Sequence, residues 1–289
     1  MSIQTNVPFN ACDSQPPSWW HHRNRFQTAA DEIPALAGTL LQLELLLNAP
    51  MVDLEAVTRL VRSDLGLCIQ VLKESRFGAA DGDQLWRISD CVIQLGSQLL
   101  GLARPLCCGV EQRKFAYAEA EAFWKHASLV ASVAEQTATY FYELGVNPEQ
   151  AYLAGLMHNL HKLPDVLAFV DSEGATGSLR ADNDWVMDCN LPFFIHNVLE
   201  SRDDGYLPTE LSPLLRVISF SKRWIDLCLP WSETCMARRN RFKFPVLKAV
   251  NLIYTHFPGT DVDPLTPFME IVKDCIFDQL QSKSQETLL

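Results

Sequence analysis

Positive charge is scarce in this chain: 24 Lys and Arg stand against 35 Asp and Glu, for a net charge of −11. A surface of that sign repels phosphate backbones and anionic bilayers, which argues against nucleic acid or a membrane surface as a general partner. No uninterrupted apolar run approaches about eighteen residues, so no transmembrane helix is expected. The nine cysteines include no Cys-x-x-Cys pair and no regular spacing. That removes the usual zinc and dithiol signatures and points to reduced thiols buried in a core. A glycine-rich phosphate loop, a Gly-x-Ser-x-Gly elbow and a supported Cys/His nucleophile are all missing. Strand signals are almost absent, and no repeat with a period of roughly 20 to 50 residues is visible.

What remains is a helical globular chain. Its 289 residues, 48% apolar and 20% charged, suit one or two domains with a sizeable core. Met1 to Gln15 is polar and contains no secretory apolar region, so the expected location is cytoplasmic. Residues 1–27 read as a weakly ordered leader in which Pro16, Pro17, Trp19, Trp20, His21 and His22 stand out. Adjacent histidines point apart on a helix or strand, so His21 and His22 do not make the i, i+4 pair of a helical metal site. The expected role of this stretch is that one Trp docks the leader onto the domain.

Helical periodicity begins at Ile33. Leu36, Leu40, Leu43 and Leu47 form an apolar stripe at three- to four-residue spacing. Asp53 caps a second predicted helix running to about Val61, with Leu54, Val57 and Leu60 inward. A third runs from Leu65 to Glu74, and Ile88 opens a helix pair after the glycine-rich loop 78–82. A long helix is predicted from Glu119 to about Leu144. Asn147-Pro148-Glu149 is a start signal, a capping residue with Pro at the first helical position, for a helix carrying His158 and Asn159. Residues 171–184 read as an exposed loop. Leu191-Pro192 opens a helix to about Ser201, Pro213 to Leu227 forms another, and two or three more follow from Pro230.

Two segments about thirty residues apart carry the chemistry: Phe123-Trp124-Lys125-His126-Ala127-Ser128, and Ala154-Gly155-Leu156-Met157-His158-Asn159-Leu160-His161-Lys162-Leu163. The pair resembles the HD phosphohydrolase superfamily, in which one helix offers a His and a later one His-Asp. It is most similar to the HDOD branch, with its Trp-x-His-x-Ser and Ala-Gly-Leu-Leu-His-Asp-Ile-Gly signatures. Ile33-Pro34-Ala35-Leu36 and Val92-Ile93-Gln94-Leu95-Gly96 also resemble HDOD segments, extending the likeness over about residues 30–225. The resemblance implies that His126 and His158 match the two histidines. Asn159 then stands where the central Asp belongs, and Lys222 where the last Asp falls. Trp124 and Ser128 belong to the signature, and Arg202-Asp203 occupies the place of a further His-His layer. An amide binds a transition metal far more weakly than a carboxylate, and a lysine repels one. The expected site is therefore a vestigial pocket of His126, His158, Asn159 and Lys222, holding no metal and no cofactor. Core histidines satisfied by a hydroxyl or a carbonyl, with Ser128 and Asn159 as nearby polar candidates, are the plainer alternative. His161 and His196 fall off the motif and are expected to be exposed or to face a partner.

The expected fold is all-α, a multi-helix HD-like bundle with an N-terminal helical subdomain and a C-terminal helical extension. Its parts are a leader 1–27, an HDOD-like domain 28–228 divided at 112/113, and an extension with a polar tail over 229–289. The resemblance implies a non-catalytic signalling module that works through protein partners, with a small-molecule ligand left open. The alternatives are a divergent metal-dependent phosphohydrolase acting on a nucleotide or phosphoester, and a nucleotide-binding sensor that does not hydrolyse. One basic stretch, Arg238-Arg239-Asn240-Arg241-Phe242-Lys243-Phe244 with Lys248, could grip phosphates and stack bases. In an acidic chain, a solvated or partner-binding face is the expected reading.

Overall fold

The computed structural model describes residues 35–77, 87–102, 111–163, 191–200, 211–235, 246–259 and 268–270. The leader with His21 and His22, the loop 171–184, Arg202, Asp203 and the stretch Arg238 to Phe244 lie outside the described residues. Every regular element among the described residues is helical, as the periodicity predicts. None of these helices is long and apolar enough to cross a membrane. The chain divides into two compact units, Met1–Trp124 with Leu160–Leu191, and Lys125–Asn159 with Pro192–Leu289.

The first unit contains α1 (Ala37–Leu47), α2 (Leu54–Ser63), α3 (Leu65–Phe77), α4 (Ile88–Leu95), α5 (Leu99–Leu102) and the start of α6 (Glu111–Tyr140). Helix α3 lies at its centre. Each residue from Leu65 to Lys73 is buried, as expected of a helix that is apolar nearly all round. It packs on α2, α4 and α5, and α2 also meets α1 and α4. Asp53 caps α2 as its sequence position suggests, its Oδ1 accepting from Glu55 N and Ala56 N at 3.0 Å each. The buried face of α2 is Val57 and Val61, whereas Leu54 is exposed. In α1 only Leu43 of the stripe is fully buried; Leu36, Leu40 and Leu47 are half-buried, and Leu41 and Leu45 face solvent. Gly96 ends α4 at φ +50°, a conformation a side chain would strain.

The second unit is built around α7 (Pro148–Met157), with the rest of α6, α8 (Phe193–Glu200), α9 (Pro213–Cys235) and α10 (Val246–His256). Every residue of α7 from Ala151 to Met157 is buried. It packs on α8 and α9, and α9 packs on α10. Asn147 caps α7 through its side-chain oxygen, accepting from Glu149 N at 2.9 Å, and Pro148 takes the first helical position. An aromatic cluster fills the core. Phe141 stacks on Phe257 with centroids 4.4 Å apart, and Phe220 meets Trp224 and Phe257 at 5.4 and 5.1 Å.

Several helix boundaries differ from those read in the sequence. Helix α6 starts at Glu111 rather than Glu119 and stops at Tyr140, where Phe141 leaves helical geometry for the 3-10 turn Tyr142–Leu144. Helix α9 runs through Pro230 to Cys235. A proline removes one helical N–H at a cost of about 3 kcal/mol, but Trp224, Ile225 and Cys228 are buried just before it and packing outweighs local propensity. Helix α7 ends at Met157, so His158 and Asn159 lie in the turn after it.

Candidate functional site

The end of α7 shows how the histidines come together. A Cβ placed on Gly155 would lie 2.8 Å from Ala131 Cα and 3.1 Å from both Ala131 N and Val130 O. Only a hydrogen fits there, so α7 and α6 touch backbone to backbone at this point. His126 lies upstream of that contact on α6, and His158 lies downstream of it, just past the end of α7. Their ring centroids are 5.5 Å apart, tilted by 40°.

Each ring has an identifiable neighbour. His158 is buried, and its Nδ1 lies 2.7 Å from Gly155 O. A carbonyl only accepts, so Nδ1 carries the hydrogen of this bond. The partner is a carbonyl freed where the helix stops, one of the two partner types expected of a core histidine, and neither Ser128 nor Asn159 supplies it at Nδ1. His126 Nε2 lies 3.5 Å from Asp226 Oδ1, with side-chain exposures of 23% and 58%. That spacing is long for a hydrogen bond and fits a screened electrostatic contact. Asp226 was missed in the sequence. Its signal is spacing: it falls four residues after Lys222 on α9, hence on the same helix face.

Asn159 and Lys222 are half-buried. Ser128 is buried, and its carbonyl accepts from Ser132 Oγ at 3.1 Å. His161 and His196, expected to be exposed or to face a partner, are both half-buried. Lys248 is exposed.

Trp124 serves another centre. It is buried, and its indole Nε1 donates to Asp64 Oδ1 at 3.2 Å. The same oxygen accepts from Leu67 N at 3.0 Å, and Oδ2 accepts from Leu36 N at 2.8 Å. Asp64 thus caps α3 while tying it to the start of α1 and to α6. Burial pushes its carboxyl above the ordinary range, against the opposing pull of hydrogen bonds from Leu67, Leu36, Thr39 and Trp124. The signal missed was an Asp set just before an apolar run.

An HD-type metal centre calls for carboxylates converging with imidazoles on one cation. Asp226 faces the His126 ring itself, Asn159 offers a neutral amide, and Lys222 is a cation. Among the described residues no group of three or more His, Cys, Asp or Glu is placed to hold a metal. This donor set does not fit the superfamily's metal. The described cysteines Cys68, Cys91 and Cys228 are free and buried. Burial raises the Cys228 thiol to about 12, leaving it protonated and unreactive.

Comparison with known proteins places this geometry in a family. The HDOD domain profile matches residues 33–176. No curated protein matches the sequence. The fold is similar to a crystal structure of the MmoQ response regulator from Methylococcus capsulatus str. Bath, at 19% identity, covering 82% of this chain and 98% of that one with a TM-score of 0.58. A fragment of the same regulator (residues 20–298) aligns at 19% identity over 81% of this chain and 94% of its own, with a TM-score of 0.54. The matched span contains both histidine motifs and the helices leading to them, and the chain belongs to the HDOD domain family.

Proposed function

We propose that this chain is a non-catalytic HDOD-type regulatory module that acts through protein partners, its HD metal site degenerate. The observation that carries this reading is the 3.5 Å contact between His126 Nε2 and Asp226 Oδ1. Among the described residues that carboxylate and the two histidines do not make up a metal-ligand group. With Asn159 and Lys222 at the remaining motif positions, a divalent cation would lack anionic partners. Without a cation there is no means of activating water for phosphoester hydrolysis. The likeness in fold to a response regulator supports a signalling role, and the HDOD-like domain of 28–228 would be the working part. The pocket then serves as a structural remnant.

Elemental analysis of the purified chain tests the proposal. It should show no stoichiometric Mn, Fe, Zn or Mg, and turnover of phosphomonoester, phosphodiester and cyclic dinucleotide substrates should not exceed that of His126→Ala. One tightly held metal per chain, lost in His158→Ala and accompanied by His126-dependent turnover, would establish a phosphohydrolase instead.

A further inference from the structure

We draw no further inference here: the strongest candidate, the exposed apolar surface patch at Leu41 and Leu45 of α1 and Met51 and Val52 of the α1–α2 turn, carries nothing because nothing in the structure shows what covers it.

Discussion

Helices α3 and α7 are each buried round their circumference, and each meets a polar side chain at one end. Asp64 stands at the N-terminus of α3 and accepts from Leu67 N. His158 stands at the C-terminus of α7 and donates to Gly155 O. The signs suit the helix dipole, an acceptor where N–H groups are unsatisfied and a donor where carbonyls are. The surroundings differ. Asp64 is fully buried, and its oxygens accept from Leu67 N of the helix it caps and from Leu36 N and the Trp124 indole in distant segments. His158 adjoins His126, whose carboxylate neighbour Asp226 is 58% exposed. One centre is a closed junction and the other opens toward water. Burial of a polar group alone therefore does not mark a site; what matters is whether the fold has consumed its bonding capacity.

The sharpest way to break that contrast is at Asp64. Asp64→Ala removes the acceptor for Leu36 N, Leu67 N and the Trp124 indole, at about 1–3 kcal/mol for each donor left unsatisfied. A loss of roughly 3–5 kcal/mol is expected, read from the urea midpoint, because the three share one group and do not add fully. Charge is tested separately with Asp64→Asn. Burial raises the folded-state carboxyl above its ordinary 3.8, so the native state favours the protonated acid. That contribution is complete below the unfolded value and is lost as pH rises through the raised one. The stability of wild type relative to Asp64→Asn should therefore fall as pH is raised from about 4. A rise over that range would reverse the assignment.

Gly155→Ala tests the opposite end of α7. An alanine in a helix gains up to about 1 kcal/mol over glycine, but here the added methyl meets backbone at 2.8 Å, and overpacking costs about 1–3 kcal/mol. The clash should win, lowering Tm and separating the two rings, which His126 and His158 NMR signals would report. Gly38→Ala is the control. Nothing lies within 4 Å of a Cβ there, and the same substitution should stabilise slightly.

How much of this was legible follows from the range of each signal. Caps are local, and Asp53 and Asn147 were readable because their bonds reach only two or three residues ahead. Periodicity is local too, which gave the helical class and most of the helix starts. It could not say which leucines of α1 would find a neighbour, and Leu41 and Leu45 did not. The bond from Trp124 to Asp64 joins residues 60 positions apart, a pairing that depends on how helices cross. The end of α7 was misplaced because an imidazole satisfies the carbonyl where the helix stops. Lys222 drew notice through the motif, while Asp226 needed the register of α9 against α6.

The smallest expected effect lies at Asp226. Its carboxylate is largely solvated and 3.5 Å from His126 Nε2, so removing it forfeits a screened contact of about 0.2–1 kcal/mol. Asp226→Ala should thus cost several-fold less than Asp64→Ala in the same urea titration. A double-mutant cycle with His126→Ala isolates the pair from the packing of either residue alone. A coupling within a few tenths of a kcal/mol of zero would leave His126 held by its ring neighbour and by α6. Coupling near that of a buried pair, about 3 kcal/mol or more, would mean that water is excluded around Asp226. The centre at the end of α7 would then be as closed as the one at the start of α3, and the contrast between them would fail.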